Sequence, residues 1–345
     1  MSSHTVFTFW TILAAIGLSS ISAISSRCIL CPCGSSGQNY TQCFHDTSND
    51  QSTCENWANC QTCADNSTSC SSCPPDRFGI ACSEVCGQIP PRTNRRRGST
   101  QRAGDWPWSM GIAALSPEDI ENLFCGGVIL DKETVLTAAQ CVTGTQNIRL
   151  LFGTVYPTAT GDSGSEQKRS ISRVILHPDF DNETKANDIA LLKFEPELKF
   201  SETIQPICLP DLNFTDKILL QGQKGLVPGW GYNYTMYMSI PAVNYEVANV
   251  SVQLSDKCME ACQRQGLSSC STPNTFCADY PEGIDACMYR GVPMVIEDEE
   301  RERYILAGLV TRKLAANERN CRRGEVNTVL TNVAHFMPFI LKNLS

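Results

Sequence analysis

The sequence has only four histidines, no excess of positive charge, and no long apolar run beyond its amino-terminal segment. A membrane-spanning helix needs about 18 or more consecutive apolar residues, so no transmembrane segment is expected after that first run. The net charge of −8 argues against nucleic acid as a partner. Few histidines leave few side chains that can act as a general base near neutral pH. We expect neither a cofactor nor a metal ion.

The amino-terminal segment has the pattern of a signal peptide. An apolar run from Val6 to Leu18 is followed by small residues from Ser19 to Ser26, which predicts a signal peptide over residues 1–25. A signal anchor is the alternative, because His4 precedes the run without any Lys or Arg. Twenty cysteines suit an oxidising compartment, so we expect a secreted, extracellular protein. Glycosylation sequons agree with this, at Asn39, Asn66, Asn182, Asn213, Asn233 and Asn249.

Cysteine density divides the rest of the chain. Residues 26–86 hold eleven of the cysteines and few apolar residues, so disulfides must stabilise this module. Its end, from Cys70 to Cys82, is similar to the end of an EGF-like repeat, although the earlier cysteines do not match one cleanly. Residues 87–102 are rich in Pro, Arg and Gly and predict an exposed linker. Its basic run offers processing sites at Arg95 and Arg97, a surface for acidic glycans, or only a solvated linker.

Residues 103–345 have the pattern of an all-β domain. Short apolar runs alternate with turn residues throughout this region, which is typical of many short antiparallel strands. The last run, Val333 to Leu344, has apolar residues at helical spacing and predicts a carboxyl-terminal helix.

Nine short motifs in this region resemble, in their order, the chymotrypsin/trypsin family of serine proteases. They are Gly104–Trp108, Cys125–Gly127, Leu136–Cys141, His177–Pro178, Asn187–Leu192, Pro206–Pro210, Gly229–Gly231, Phe276–Ala278 and Thr331–Val333. The resemblance implies two six-stranded antiparallel barrels with an active-site cleft between them. It also implies disulfides that pair Cys125 with Cys141, Cys258 with Cys277, Cys287 with Cys321, and Cys86 with Cys208. Cys262 and Cys270 are then left to pair with each other.

Two of the three catalytic residues that the resemblance implies are missing. The family's mechanism needs a serine nucleophile, a histidine base and an aspartate that orients the histidine. Gln140 stands at the histidine position, and its amide cannot accept a proton near neutral pH. The nucleophile motif is one residue short, contains no serine, and aligns Gly291 with the lost nucleophile. Asp188 stands at the aspartate position, either as a relic of the triad or as a buried carboxylate that accepts backbone hydrogen bonds.

Activation and specificity are altered as well. The slot for the new amino terminus of active family members holds Arg95–Gly98, and Arg290 falls near the slot of its aspartate partner, so the two ends would repel. Asp285 matches the acidic base of a trypsin-like pocket, whose wall here is Thr311–Lys313. Asp285 either retains a site for a basic side chain or pairs internally with Lys313.

These losses predict a non-catalytic serine protease homologue. The chain resembles masquerade-like proteins, which implies binding to extracellular proteins, as a cofactor or regulator of a protease cascade, for example in innate immunity. An adhesion or recognition protein is one alternative, and an enzyme with a rearranged active site is another.

Overall fold

A computed structural model describes most of the region after residue 103 and short pieces before it. The described residues are 62–63, 70–72, 77–78, 84–89, 104–155, 166–210, 222–233, 242–253, 258, 260, 262–263, 273–279, 287–288, 290–299, 302–314 and 327–344. Four two- or three-residue strands lie in the amino-terminal pieces: β1 (Thr62–Cys63), β2 (Cys70–Ser72), β3 (Arg77–Phe78) and β4 (Glu84–Val85). β1 pairs with β2 and β3 with β4, both antiparallel.

The first barrel closes from six antiparallel strands. They are β5 (Ser109–Leu115), β6 (Glu121–Ile129), β7 (Thr134–Thr137), β8 (Ile148–Phe152), β9 (Gln167–Leu176) and β10 (Ala190–Glu195), in the order β10-β7-β6-β5-β8-β9. Side chains alternate between the two faces of a strand. Leu192 and Phe194 of β10 therefore fill the barrel core, where Phe194 packs against Phe152, while Leu191 packs on the outer side. Both faces of β10 are buried, which explains its nearly continuous apolar sequence.

The second barrel also closes from six antiparallel strands. They are β11 (Lys224–Asn233), β12 (Ala242–Gln253), β13 (Thr275–Asp279), β15 (Pro293–Asp298), β16 (Arg303–Lys313) and β17 (Asn327–Asn332), and pairing of β12 with β11 completes the ring. The two-residue strand β14 (Cys287–Met288) pairs with β11. The predicted architecture of two six-stranded barrels is therefore confirmed.

The two barrels share a core. Trp230 of the second barrel is buried, packs in one cluster with Ala113, Leu123 and Leu151 of the first barrel, and donates from Nε1 to the carbonyl of Val155 at 3.1 Å. Burying this indole with its polar atom satisfied stabilises the contact between the barrels.

The carboxyl-terminal run forms a helix, as predicted. A 3-10 turn, Val333–Phe336, leads into α1 (Met337–Leu344), whose buried Ile340 joins an apolar cluster on the outside of the first barrel with Ile189 and Leu191. Among the described residues, no helix is long and apolar enough to cross a membrane.

Three disulfides lie within the described residues: Cys86–Cys208, Cys125–Cys141 and Cys258–Cys277. Cys262 is also disulfide-bonded, whereas its expected partner Cys270, and Cys321 opposite Cys287, lie outside the described residues. At Cys86 the chain also forms backbone hydrogen bonds, from Gly87 N–H to Pro206 and from Tyr304 N–H to Gly87, each at 2.8 Å. The end of the amino-terminal module is thus fastened to the second barrel.

The Cys86–Cys208 disulfide should hold the two parts of the chain together after a cut in the linker. With a site for a sequence-specific protease inserted after Gly98, we expect one band on a non-reducing gel and two under reducing conditions. Release of the amino-terminal part without reductant would contradict this. The double variant Cys86→Ser/Cys208→Ser should release it and is the control.

Gly291, next to the second barrel, lies in close contact with the first barrel. Its φ of +81° is left-handed, and a Cβ there would collide with the carbonyl of Gly126 and the hydroxyl of Thr137. Gly144 has a similar φ of +75°, but a Cβ there would meet nothing within 4 Å.

Gly291→Ala should therefore lower the free energy of unfolding by about 3 kcal/mol or more, since it adds a steric collision to the unfavourable φ. Gly144→Ala should cost only about 1 kcal/mol, the cost of the backbone conformation alone. Urea denaturation under non-reducing conditions measures both. Equal losses in the two variants would show that Gly291 is not in a close contact.

Candidate functional site

The candidate site is centred on a glutamine and a buried aspartate at the edge of the first barrel. Gln140 lies in the 3-10 turn Ala139–Cys141 that follows β7, and Asp188 lies just before β10. The backbone N–H of Gln140 donates to Asp188 Oδ1 at 2.9 Å, and its Nε2 donates to Asp188 Oδ2. Nε2 also donates to the carbonyl of Thr311 on β16, at 3.0 Å. Gln140 therefore connects Asp188 to the second barrel.

These contacts determine what Gln140 can do chemically. A primary amide has two N–H donors, and both are used, one by Asp188 and one by Thr311. The remaining polar atom, Oε1, is a neutral carbonyl oxygen that cannot take up a proton near neutral pH. Gln140 thus fits as a hydrogen-bonding link, in a geometry that does not provide a general base.

Asp188 is deeply buried, with 2% of its surface exposed. Burial raises the pKa of its carboxyl to about 6, against the lowering effect of the hydrogen bonds from Gln140 and of the charges of Lys185 and Arg290. The Asp188 carbonyl accepts from the hydroxyl of Thr331 at 3.0 Å, which fixes the backbone here as well.

The degenerate nucleophile segment crosses the cleft beside this pair. The N–H of Gly126 donates to the carbonyl of Arg290 at 2.9 Å, and the N–H of Gly291 donates to the carbonyl of Val310 at 2.7 Å. Gly291, which the sequence aligned with the nucleophile, presents no side chain. The side chain at this point belongs to the exposed Arg290, whose charge acts on Asp188.

Two further cations, Arg312 and Lys185, act on Asp188. Arg312 lies in the predicted pocket wall Thr311–Lys313, whereas Lys185 was not among the predicted site residues. Arg312 on β16 is half-buried and donates from Nη2 to the carbonyl of Thr184, on the opposite barrel, at 3.2 Å. Lys185 follows Thr184, and its Nζ donates to Asn182 Oδ1 at 2.6 Å. The available signal for Arg312 was its place in the segment that aligns with the family's pocket wall. Nothing local in the sequence pointed to Lys185.

Only some of the other predicted site residues lie among the described residues. Asn182 and Asn249 are exposed, Asn233 lies in β11, and Asp285, Arg95, Arg97, Asn39, Asn66 and Asn213 lie outside the described residues.

One sulfur cluster, Cys258, Cys262 and Cys277, has the size of a metal site. All three are disulfide-bonded, and a disulfide sulfur is not the thiolate that binds zinc.

The two closed barrels, with the Gln140–Asp188 pair at the cleft between them, define the class of protein as a chymotrypsin-like serine protease fold. Comparison with protein families agrees: the family described as Trypsin matches residues 95–340. The chain belongs to the trypsin family.

Curated relatives are similar over the same region. Limulus clotting factor C of Carcinoscorpius rotundicauda is 30% identical over 67% of this chain and 24% of its own length. Serine proteinase stubble of Drosophila melanogaster is 27% identical over 74% of the chain and 31% of its own length. CLIP domain-containing serine protease B4 of Anopheles gambiae is 28% identical over 72% of the chain and 69% of its own length. The chain spans only about a quarter of the clotting factor.

Stability should depend on pH through Asp188. Because the folded-state pKa of about 6 lies above the ordinary aspartate value of 3.8, ionisation opposes folding. The stability that the neutral carboxyl contributes is fully present below about pH 4 and is lost as the pH rises through about 6. The free energy of unfolding should fall by on the order of 3 kcal/mol over this range. In Asp188→Asn this fall should be absent. Urea denaturation of both proteins from pH 4 to 7 measures it, and parallel profiles would contradict it.

Proposed function

We propose that this protein is a secreted, non-catalytic serine protease homologue that acts by binding other proteins. The observation that carries the proposal is the pair of hydrogen bonds from Gln140 Nε2 to Asp188 and Thr311. The same residue that would have to accept the proton of a nucleophile uses both amide hydrogens to hold the aspartate and the second barrel. Catalysis by the usual triad requires an imidazole nitrogen there.

The nucleophile segment supports the same proposal. Between Met288 and Pro293 the sequence offers Tyr289, Arg290, Gly291 and Val292, none of which is a hydroxyl or thiol nucleophile of the kind this fold uses. Arg290 and Gly291 are held by backbone hydrogen bonds to opposite barrels, so a shift of the segment by one residue would break both contacts. Removing triad members from subtilisin lowers turnover about a million-fold.

The relatives suggest where such a protein acts. One is named as a clotting factor and another as a CLIP domain-containing serine protease. The predicted signal peptide, the sequons and the disulfides suit the same extracellular setting. We infer a role as a cofactor or regulator in an extracellular protease cascade, through contacts with proteases or their zymogens.

The purified mature protein should not cleave peptide amides after arginine, aromatic or small apolar residues, and a fluorophosphonate probe should not label it. We expect any rate to be about a million-fold or more below that of an active trypsin-family enzyme. Asp188→Ala and Gln140→Ala provide the control for contamination. Hydrolysis that disappears in these variants would show that the cleft is catalytic, whereas a contaminant's activity would persist in them.

A cascade role is tested by the rate at which a partner is activated. Crosslinked pull-down from the native extracellular fluid identifies the zymogens that bind, and their activation is then timed with and without the protein. A change in activation rate that depends on the protein's concentration is expected. Recovery of only matrix or cell-surface components, with no effect on any zymogen, would favour an adhesion role instead.

A further inference from the structure

We propose that the cleft between the barrels binds an acidic segment of a partner protein, held by the guanidinium groups of Arg290 and Arg312. This rests on the proposed function, because it requires a cleft that binds a protein segment without cutting it. It reverses the specificity suggested by Asp285, which would select a basic side chain.

Arg290 is held through its backbone and exposes its side chain. Its carbonyl accepts from Gly126, and the next residue, Gly291, donates to Val310, so the main chain is fixed on both sides of the cleft. Its side chain is exposed and forms no hydrogen bond or ion pair with any described residue. A guanidinium has five N–H donors arranged to match a carboxylate, and none of those of Arg290 is used by a described residue.

Arg312 adds a second guanidinium close to the Gln140 link. It follows Thr311, whose carbonyl accepts from Gln140, and the carbonyl of Arg290 lies 3.6 Å from the sulfur of Cys141, the residue after Gln140. Arg312 is half-buried, and this desolvation lowers the pKa of its guanidinium. The like charge of Arg290 lowers that pKa further, whereas the negative charge of Asp188 raises it. Only its Nη2 has a described partner, the carbonyl of Thr184, which is neutral. Two arginines that repel each other in a partly desolvated cleft favour an anion between them, since a carboxylate removes the repulsion.

The buried Asp188 does not already serve as that anion. Both of its oxygens accept hydrogen bonds from Gln140, and its surface is 2% exposed. It carries at most one negative charge, and its pKa of about 6 shows how poorly that charge is solvated. Three cations, Lys185, Arg290 and Arg312, act on it. Asp181 in turn acts on Lys185. These described groups therefore carry three positive and two negative charges, a small positive excess in a protein whose net charge is −8.

The end of β16 at Lys313, which has no described strand on one side, favours a peptide over an acidic glycan. On one side, Arg312 and Lys313 pair with β17, at Val329 and Thr328. On the other side, β15 begins opposite Leu309, Gly291 and Val292 continue the pairing to Val310, and the carbonyl of Thr311 accepts from Gln140. No described strand pairs with Lys313 on that side. An extended peptide can add main-chain hydrogen bonds to such an edge, whereas a glycan has no regular series of amide groups to offer.

The test measures binding of a fluorescein-labelled hexaglutamate peptide by anisotropy, using the secreted full-length protein. We expect binding that weakens as salt is added, and weakening of about tenfold or more in Arg290→Glu, which replaces an attraction by a repulsion. Arg173→Glu is the matched control: this arginine is equally exposed but lies on β9 of the first barrel. It makes the same charge change and should alter the affinity by less than about twofold.

Three outcomes would overturn the proposal. One is no hexaglutamate binding even at low salt, which would leave Arg312 as a structural link between the barrels. Another is equal weakening by Arg290→Glu and Arg173→Glu, which would indicate only a general charge effect. The third is Arg290-dependent binding of a sulfated heparin hexasaccharide but not of the peptide, which would indicate a glycan surface. None of these involves hydrolysis, so they can be told apart from failure of the proposed function, which the peptide-amide assay detects.

Discussion

The burial of Asp188 constrains the rest of the cleft. A carboxylate with 2% of its surface exposed costs several kcal/mol unless donors surround it. Gln140 supplies two, one from its backbone and one from its side chain, and continues to Thr311 on the other barrel. A glutamine can thus replace a histidine without leaving the aspartate unsatisfied. The fold needs only N–H donors at position 140, whereas a general base needs an atom there that can take up a proton. An amide provides the first without the second, so the fold can be kept without a base at this position.

The same constraint explains why positive charge surrounds the pair. Burial raises the pKa of Asp188, whereas Lys185 and Arg290 lower it. These two cations offset part of the free-energy cost of burying the Asp188 carboxylate, and they carry two positive charges against its single negative charge. In an active triad the charge near the nucleophile must stabilise developing negative charge at one point. Here the cationic groups lie on long side chains, a distribution that suits recognition of an anionic group.

Much of the fold could be predicted from the sequence because its signals are local. The alternating runs, the final helical run and motifs such as Leu136–Cys141 each lie in a few consecutive residues, and the substitution at Gln140 is visible within one of them. The nucleophile segment was harder to interpret because it is one residue short, which leaves the placement of Arg290 and Gly291 open. Only the backbone hydrogen bonds to Gly126 and Val310 decide it. The contact of Arg312 with Thr184 joins residues 128 apart in sequence, beyond the reach of any local pattern.

That long-range contact also bears on which ligand the cleft can accept. The hydrogen bond from Arg312 to Thr184 crosses from the second barrel to the first, so a long side chain entering there would have to displace it. A lysine or arginine of a ligand would break this hydrogen bond and would also place a third positive charge beside Arg290 and Arg312. Both changes are unfavourable. A carboxylate can instead accept from the remaining donors of Arg312 while Nη2 keeps its contact with Thr184. The geometry of this one arginine therefore favours an acidic ligand over the basic one that an ancestral trypsin-like pocket would select.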